Sequence, residues 1–357
     1  MSTSVHEPHW GNDFGGFPLQ VAALPETRYM GSKFKLLPFI HSVLSRLKFR
    51  SALDAFSGSG SVAYLLKSMG KEVTANDHLH FCYHYANGLV ANKGHRIDAA
   101  ALESLVELNA AAGNFVQTTF DGLYFSAEDN AFLDSLVANI RSLPNKYVRS
   151  LAFAAACRAC VKRRPRGVFT YVGERYLDGR QDLQLSLSDH FKKAVQLFNA
   201  AVFDSRKKCH ALCSDVSEVE GDFDLVYLDP PYVSPSSDND YTRRYHFIEG
   251  LVRYWEGLEI QSHTETKKFR APHTPFRNRR EVYSGFENLF RKYADSTIVV
   301  SYSSTGIPSR SELVAMMKKY KSRVEVVAKN YSYSFGTHGH KKGNEANQVQ
   351  EFLFVGS

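Results

Sequence analysis

The apolar positions of residues 51–77 alternate between strand and helix patterns. SALDAF (51–56) is a short apolar run, SVAYLLKSMG (61–70) has helical spacing and ends at a glycine, and KEVTAND (71–77) is a second run of the strand type. A strand, a glycine-containing turn, a helix and a second strand within about 27 residues form a βαβ unit. This pattern predicts a parallel sheet with a right-handed crossover.

Strand patterns return in the second half of the chain. Four apolar or alternating runs predict strands: FDLVYL (223–228), STIVVSY (296–302), RVEVVAKNY (323–331) and QEFLFVG (350–356). The last two are expected to form a hairpin around residues 332–348. SRSELVAMMKKY, which lies before this hairpin, predicts a helix that begins with a capping box at Ser309 and Glu312.

Residues from about 90 to 205 have helical periodicity instead. Four segments carry it, at 99–113, 128–143, 146–164 and 186–203. The simplest assembly is one α/β domain whose chain is interrupted by a mainly helical insertion. The pattern therefore predicts three units: a loosely held N-terminal arm (1–25), an α/β domain (26–90 and 206–357) and the insertion (91–205).

Composition narrows the class of protein. The chain has 357 residues, 43% of them hydrophobic, which is ordinary for a globular protein. Its apolar runs are shorter than the roughly 18–20 residues of a membrane helix, and its first residues lack the pattern of a secretory signal, so we expect a cytoplasmic protein. The five cysteines match neither a disulfide framework nor a standard zinc finger, so we expect buried thiols and no metal.

Positive charge concentrates in two places. The formal net charge is +7, and residues 141–182 carry ten Lys or Arg against three acidic residues. Residues 267–280, KKFRAPHTPFRNRR, carry six Lys or Arg and no acid. The first run lies in the insertion and includes KRRPRG (162–167), so the insertion is the more basic part of the chain. Such an excess favours a polyanion as partner, and nucleic acid in particular.

A glycine turn follows the first predicted strand. Gly58-x-Gly60-x-x-Ala63 opens the next helix, and Asp77 stands 19 residues beyond Gly58 at the end of the second strand. Glycines permit close approach of the backbone to a ligand, and a carboxylate at this position can bind the hydroxyls of a ribose. Both NAD and S-adenosylmethionine satisfy these conditions, so the turn leaves the two cofactors open.

The run Asp229-Pro230-Pro231-Tyr232 ends the predicted strand FDLVYL. Ligands of open α/β sheets bind beyond the carboxyl ends of the strands, so Asp229 is expected to face the same cavity as the glycine turn. Two consecutive prolines stiffen the backbone, and the run can hold a carboxylate, a carbonyl and an aromatic face in fixed relation. That arrangement suits a planar ring with an exocyclic amine, whose lone pair must be localised for attack on a methyl group.

Three motifs together resemble the Dam-like (D12 class, alpha-ordered) adenine-N6-specific DNA methyltransferases: YMGSK (29–33), DAFSGSGS (54–61) and DPPY (229–232). Their order along the chain and the helical insertion before DPPY also fit this family, and the resemblance covers roughly residues 27–355. It implies an α/β fold with the Rossmann-like sheet of an S-adenosylmethionine-dependent methyltransferase. The insertion would be its target-recognition domain.

The resemblance implies a role for each matched residue. Asp229, Pro230 and Tyr232 would hold the flipped target adenine as catalytic residues. S-adenosylmethionine would bind to Tyr29, Lys33, Phe56, Gly58, Gly60, Asp77, Asp215 and Asp229. The tyrosine at position 29 departs from the tryptophan that is frequent in the family, and the match at Asp215 is looser. The reaction would need no metal, because the methyl group of a sulfonium is already activated.

The expected substrate is an adenine in duplex DNA. A base within a duplex must rotate out to reach the DPPY run, and contacts to the phosphates must offset the cost. The expected DNA contacts are Lys162, Arg163, Arg164 and Arg166 in the insertion and Lys267, Lys268, Arg277 and Arg279 after it. We expect a monomer, encoded by a prokaryote or a phage, that serves a restriction–modification system in which a restriction endonuclease is a possible partner. The alternative is a solitary methylase.

Several alternatives stay open. Methylation of adenine in RNA, or of a glutamine amide in a protein, would use the same planar NH2 group. A nucleic-acid-binding protein that has lost catalysis would keep the basic insertion, although its intact cofactor residues argue against this reading. A dehydrogenase that uses NAD would leave the DPPY run without a function.

Overall fold

The computed structural model describes residues 16–172, 179, 181–234, 240–332 and 348–357. Within them, seven strands form one sheet in the order β3-β2-β1-β4-β5-β7-β6. The strands are β1 (Ser51–Asp54), β2 (Glu72–Asp77), β3 (Cys209–Cys213), β4 (Leu225–Leu228), β5 (Thr297–Ser303), β6 (Val324–Ser332) and β7 (Gln348–Gly356).

Strands β1 to β5 run parallel to one another, as the βαβ unit predicts. Strand β7 lies between β5 and β6 and is antiparallel to both. The expected pairing of the last two strands is therefore confirmed. Residues 333–347, which connect them, and residues 1–15 of the expected arm lie outside the described residues. The carboxyl ends of the parallel strands meet at one edge of the sheet, where ligands bind in open α/β folds.

The described helices include the one predicted after β5, and it begins with the capping box of Ser309 and Glu312. None of the helices within the described ranges is long and apolar enough to cross a membrane. The α-helices are α1 (Leu37–Leu44), α2 (Ser61–Ser68), α3 (His80–Ala86, extended by a π-helical turn over Asn87–Ala91), α4 (Ala99–Val106), α5 (Phe115–Thr119), α6 (Ala127–Ser142), α7 (Lys146–Arg163), α8 (Leu187–Ala201), α9 (Tyr241–Arg253), α10 (Val282–Lys292) and α11 (Arg310–Met317).

The sheet separates two hydrophobic cores. Because alternate residues of a strand point to opposite faces, Ala52 and Tyr227 pack in one core and Leu228 packs in the other. The first core also contains apolar residues of α1, α2, α3 and the insertion, and the second contains those of α10 and α11. Asp54 and Asp229 stand two residues beyond Ala52 and Tyr227. They therefore point to the side of the first core, at the carboxyl edge of the sheet.

The insertion is mainly helical, as predicted. Three of its four predicted helical segments are confirmed by α6, α7 and α8. The fourth, 99–113, ends at Val106, because Glu107 is extended and Leu108 is 76% exposed, so nothing buries an apolar face beyond this point. Helix α7 is buried along most of its length and contacts α3 and α8. The insertion therefore shares the first core with the sheet.

The described part of the expected N-terminal arm is not loose. Residues 16–25 include a 3₁₀ turn over Leu19–Ala23, and Val21 in this turn is fully buried. Gln20 donates a hydrogen bond of 3.1 Å to the hydroxyl of Tyr64 in α2. Apolar burial and this hydrogen bond hold the segment against the first core, which a sequence pattern of only a few apolar residues does not indicate.

Some elements have no strong sequence pattern. Strand β3 is half-exposed along most of its length because it lies at the edge of the sheet, and α1, α9 and α10 are also absent from the predicted set. The predicted limits of the insertion, at residues 90 and 206, fall in the π-helical turn of α3 and in the loop after α8. These limits remain an interpretation.

An aromatic cluster joins the insertion to α9 and the turn that follows it. Neighbouring ring centroids in the cluster lie 4.8 to 5.9 Å apart. The hydroxyl of Tyr124 also donates to the carbonyl of Thr266 over 2.8 Å. Helix α9 therefore packs with the insertion as well as with the sheet. The cluster consists of Phe120, Tyr124, Phe169, Phe247 and Trp255.

Candidate active site

The glycine turn joins β1 to α2. Gly58 has φ of +50° and Gly60, the N-cap of α2, has φ of +75°, which lies in the left-handed region that favours glycine. A Cβ on Gly58 would lie 3.0 Å from the ring of Tyr29. The ring can therefore cover the turn only because position 58 has no side chain.

The carboxylate of Asp77 fastens this turn. Its Oδ2 accepts the backbone N–H of Gly58 over 2.8 Å, and its Oδ1 accepts that of Leu79 over 3.0 Å. Burial raises the pKa of Asp77, while the neighbouring His78 and these two hydrogen bonds oppose the rise. A carboxylate has about four acceptor positions, so Asp77 can hold the turn and still accept hydroxyl groups from a ligand in the cavity that it lines.

Asp229 lies at the end of β4 beside Lys33. The Nζ of Lys33 is 2.8 Å from Oδ2 of Asp229 and donates to the carbonyl of Gly31 over 3.2 Å. Burial raises the pKa of Asp229, and the charge of Lys33 opposes the rise. Oδ1 of Asp229 is buried and lacks a hydrogen-bond partner among the described residues. This acceptor therefore remains available to a donor in the cavity.

The ring of Tyr232 is held on several sides. Lys33 Nζ lies 4.8 Å from its centroid, and the edge of the ring contacts Tyr302 with centroids 4.7 Å apart. Its hydroxyl donates to Glu351 in β7 over 3.2 Å. The backbone after Tyr232 is also anchored, because the carbonyl of Val233 accepts the N–H of Ile307 over 2.8 Å. The DPPY run is thus fixed by contacts as well as by its two prolines.

One cavity of about 740 Å³ collects the expected residues, and its volume is within the roughly 300–1,000 Å³ of small-molecule sites. Gly60 does not line this cavity, since it serves as the N-cap of α2 behind it. The lining residues that the sequence assigns to the cofactor or to the target are Tyr29, Lys33, Phe56, Gly58, Asp77, Asp229, Pro230 and Tyr232.

Three stacked tyrosines lie at one side of the site, and two of them, Tyr29 and Tyr241, line the cavity. The ring of Tyr29 lies between those of Tyr241 and Tyr245, with centroid distances of 5.4 and 5.1 Å. The hydroxyl of Tyr245 accepts the N–H of Met30 over 2.7 Å. The two tyrosines of α9 have no role in the sequence prediction. Their spacing of four residues places them on one face of a helix and is the signal that could have found them.

Asp54 is a second buried carboxyl group in the cavity wall. It is 1% exposed, and its Oδ2 lacks a partner among the described residues. Burial, together with the negative charge of Asp229, raises the pKa of Asp54 to about 8. Asp54 therefore carries a proton at neutral pH. Asp54 is the first residue of the motif DAFSGSGS, and the sequence prediction assigns it no role. Its position at the end of β1 is the signal that could have found it.

Three serine hydroxyls gather at the start of α2. Ser59 Oγ lies 2.8 Å from Ser61 Oγ, and Ser32 Oγ lies 3.1 Å from Ser59 Oγ and 3.3 Å from Ser61 Oγ. All three residues line the cavity. Because a hydroxyl can both donate and accept, this group can meet either end of a zwitterionic ligand. The sequence motifs contain these serines, but their spacing does not reveal that they meet.

Asp215 does not line the cavity, unlike the other acids expected to bind the cofactor. It is exposed, and its Oδ1 accepts both the backbone N–H and the hydroxyl of Ser217 over 2.8 and 2.6 Å. The carboxylate caps the short 3₁₀ turn over Val216–Glu218. The structure thus gives Asp215 a local role, and the expected contact with the cofactor is not supported.

The four basic residues of 162–166 have different surroundings. Arg164 is only 3% exposed, and its guanidinium donates to the carbonyls of Tyr171 and Tyr124 over 2.8 and 3.4 Å. Burial lowers its pKa, and the group lies against the rings of Tyr124 and Tyr171. This burial contradicts a DNA contact by Arg164, which instead holds the loop that follows α7. Arg166 in that loop is exposed.

Lys162 and Arg163 are half-buried and lie beside acidic side chains. Lys162 Nζ is 3.2 Å from Asp182 Oδ2, and Arg163 Nε is 3.5 Å from Asp129 Oδ2. Arg163 also donates to the carbonyl of Leu183. Any contact of these two residues with DNA would therefore replace interactions within the insertion.

The basic residues of the second run, 267–280, also differ in their surroundings. Arg277 pairs with Asp240 over 3.1 Å, and Asp240 is the N-cap of α9. Lys267 donates to the carbonyl of Ser262 over 2.8 Å. Lys268 is half-buried, whereas Arg279 is exposed. The run is thus tied to the start of α9, whose Tyr241 lines the cavity.

The cysteines do not meet as a metal site. Within the part of the chain that the structure describes, His, Cys, Asp and Glu side chains form no group of three that could hold a metal ion. Four free thiols are buried and one is half-buried: Cys82, Cys157, Cys160 and Cys209 on the one hand and Cys213 on the other. Burial raises the pKa of the Cys160 thiol well above its ordinary value, which keeps it in the neutral form.

The sheet is parallel except for β7, which lies antiparallel between β5 and β6, and the cavity lies at its carboxyl edge. These features place the protein in the class of Rossmann-like methyltransferases. The chain belongs to the D12 class N6 adenine-specific DNA methyltransferases, whose family model matches residues 29–316. The predicted family, fold and enzymatic activity are thereby confirmed. Membership of this family favours DNA adenine over the alternatives of RNA adenine, a protein glutamine and an NAD-dependent reaction.

Several curated proteins are similar over most of the chain. Type II methyltransferase M2.HphI of Haemophilus parahaemolyticus is 28% identical over 87% of this chain and 92% of its own. Type II methyltransferase M.CviAII of Paramecium bursaria Chlorella virus 1 is 25% identical over 91% of this chain and 97% of its own. Modification methylase LlaI of Lactococcus lactis subsp. lactis is 24% identical over 91% of this chain, which spans 54% of that relative.

Proposed function

We propose that the protein transfers a methyl group from S-adenosylmethionine to the N6 amine of an adenine rotated out of a specific sequence in duplex DNA. The observation that carries this proposal is the buried Oδ1 of Asp229, an acceptor without a partner among the described residues, in the same cavity as the glycine turn and Tyr232. A buried acceptor of this kind needs a donor, and an exocyclic amine of a nucleobase provides one.

The residues of the cavity fit S-adenosylmethionine. Asp77 has acceptor positions for the ribose hydroxyls, and the glycine turn permits close approach of the methionyl part. Two further buried atoms in the wall, Oδ2 of Asp54 and Oγ of Ser57, lack partners among the described residues and suit the polar methionyl groups. Because Lys33 pairs with Asp229, we assign it first to that carboxylate and second to the methionyl carboxylate.

S-adenosylmethionine, when bound, supplies a methyl group that its sulfonium makes electrophilic. The residues of the protein prepare the amine that receives this group. Oδ1 of Asp229 and the carbonyl of Pro230 accept the two amine hydrogens, which localises the lone pair on the nitrogen. The ring of Tyr232 stacks on the adenine and excludes water. Asp229 then receives the proton that the nitrogen releases, which its raised pKa favours.

We assign the DNA contacts according to exposure. Arg166 and Arg279 are exposed and are the first candidates, followed by Lys267 and Lys268. Lys162, Arg163 and Arg277 would contact phosphates in exchange for their present acidic partners. Arg164 is not among the proposed contacts. Together these groups would offset the few kcal/mol that rotation of a base from the duplex costs.

We place the enzyme in a restriction–modification system, acting as a monomer beside an endonuclease that cuts the same sequence. The names of the relatives, which are type II methyltransferases and a modification methylase, support this context. Their bacterial and viral sources support a prokaryotic or phage gene. Its DNA substrate would keep the protein in the cytoplasm.

The proposal is tested by mapping modified bases in DNA from a host that expresses the chain. We expect N6-methyladenine at one recognition sequence with the wild type and none with Asp229→Ala, while exposed Asp222→Ala methylates like the wild type. Purified protein should prefer duplex DNA over ribosomal RNA as acceptor, and calorimetry should detect binding of S-adenosylmethionine. Full methylation by Asp229→Ala would refute the assignment of the catalytic carboxylate.

A further inference from the structure

The hydroxyl end of Tyr232 is held by a residue far along the chain. This hydroxyl donates to Oε2 of Glu351 over 3.2 Å and lies 3.5 Å from Oγ of Ser301. Glu351 follows Tyr232 by 119 residues, lies on β7 and is 1% exposed. The sequence around it, QEFLFVG, predicts only a strand and gives no sign of a contact with the DPPY run.

The pairing of the last strands brings Glu351 to this place. Because β7 lies between β5 and β6, Glu351 stands opposite Ser303 on one side and Lys329 on the other. Paired residues and residues two positions apart share one face of a sheet, so Ser301, Ser303 and Glu351 point to the same side. Both serines are buried. The end of the sheet thus forms a polar socket, made of Ser301 and Glu351, for the hydroxyl of Tyr232.

A carboxylate in this socket has a cost and a use. Burial of a polar group is unfavourable unless hydrogen bonds compensate it, and the hydroxyl of Tyr232 supplies one to Oε2 of Glu351. The bond to Glu351 fixes the far end of the Tyr232 ring. Tyr302 fixes one edge and Lys33 lies over the ring. The ring is therefore oriented before any base reaches it.

We propose that Glu351 is a positioning residue, which holds the ring of Tyr232 in the orientation that stacks on the target adenine. The inference rests on the proposed function, in which Tyr232 provides the stacking face of the DPPY run. Glu351 lies behind the ring and acts through it. Strand β7, which carries Glu351, thereby sets the geometry at the base-binding end of the cavity.

The test compares Glu351→Ala, Glu351→Gln and Tyr232→Phe in the full chain. The readouts are kcat, the Kd for S-adenosylmethionine, the Tm and the emission of 2-aminopurine placed at the target position. Glu351→Ala should lower kcat by about 10-fold or more with Kd and Tm near the wild type. Emission should rise, because a base that is not stacked is quenched less. Glu351→Gln retains an acceptor oxygen and should restore most of kcat.

A double substitution tests whether Glu351 acts through Tyr232. Tyr232→Phe removes the hydroxyl and should raise the emission in the same way, so that adding Glu351→Ala to it changes kcat by less than about 2-fold. If Glu351→Ala does not fold, Glu351→Gln takes its place in both arms: emission and kcat of Glu351→Gln between those of the wild type and Tyr232→Phe support the positioning role, and wild-type emission and kcat in Tyr232→Phe overturn it.

Three results would overturn the positioning role. They are unchanged kcat and emission in Glu351→Ala, a loss of kcat that only follows Kd and Tm, and effects of the two substitutions that multiply. Asp229→Ala separates the two levels of inference. If it stays active, the proposed catalytic role of the DPPY run fails, and absence of N6-methyladenine with the wild type would refute the proposed function itself; if Asp229→Ala is inactive while Glu351→Ala behaves like the wild type, only the role of Glu351 fails.

Discussion

At the carboxyl edge of the sheet, the type of a residue predicts its position well. In the insertion, it does not. At the sheet edge, residues from three separate motifs line one cavity, among them Lys33, Asp77 and Asp229. In the insertion, neighbours in one basic run divide between the interior and the surface, with Arg164 buried and Arg166 exposed. The strand order dictates the first arrangement. Positive charge alone does not dictate the second.

The difference has a geometric origin. Parallel strands end at the same edge, so a polar residue that follows a buried strand is brought to the ligand side by the backbone itself. Helix α7 ends at Arg163 and the backbone of Arg164 is extended, so neither a strand order nor a helical period fixes the directions of the side chains of Arg164 and Arg166. Aromatic rings around Arg164 then bury its guanidinium. Charge in a helical segment therefore predicts a surface only after packing is known.

The largest expected effect comes from breaking the ion pair at the sheet edge. Lys33→Ala should lower kcat/KM by about 100-fold or more, because it removes the cation that holds Asp229. Lys33 lowers the pKa of Asp229, so its loss raises that pKa and the remaining activity should increase with pH. Methylation assays from pH 6 to 9 measure both effects. Exposed Lys35→Ala is the control and should keep wild-type activity.

A pair of substitutions in the insertion comes next in size. Arg164→Ala should reduce the free energy of unfolding by about 2–4 kcal/mol, since it leaves buried carbonyls without donors. Arg166→Ala should cost less stability than Arg164→Ala, because its side chain is exposed, but should weaken DNA binding and lower its salt dependence by about one ion. Denaturation and binding titrations at several salt concentrations distinguish them. Equal effects of the two substitutions on stability would remove the contrast between them.

A smaller effect concerns pH and the folded state. The pKa of Asp54 is about 8, against an ordinary value of 3.8, so the folded protein retains a proton that the unfolded chain releases. Stability from this group is present at low pH and is lost as pH rises from about 4 towards 8. Asp54→Asn should therefore lose less stability over this range than the wild type. Chemical denaturation without added cofactor measures it, with exposed Asp121→Asn as control; parallel curves would contradict the assignment.

The smallest expected effect is at Asp215. Because it is exposed and does not line the cavity, Asp215→Ala should change the affinity for S-adenosylmethionine by less than about 3-fold, while loss of its cap costs about 1 kcal/mol of stability. Calorimetry and thermal denaturation provide the two numbers. A large loss of affinity would instead return Asp215 to the cofactor site.

Sequence reasoning reached the parallel sheet, the helical insertion and most of the cavity, because strand periodicity and short motifs are local signals. It did not reach Glu351, since the contact with Tyr232 depends on the insertion of β7 between β5 and β6. Nor did it reach Tyr241 and Tyr245, which stack on Tyr29 from a helix that the patterns did not predict. These contacts depend on long-range packing, which residue order does not encode in a single motif.

The aromatic cluster limits how the insertion, the expected target-recognition domain, can be exchanged between related proteins. Its rings come from both sides of the predicted limit of the insertion, with Phe120 and Phe169 on one side and Phe247 and Trp255 on the other. A graft of residues 91–205 alone would leave the second pair against foreign neighbours. A chimera in which the insertion is exchanged therefore has to include α9 and the turn that follows it, transferred together with the insertion from the same donor protein.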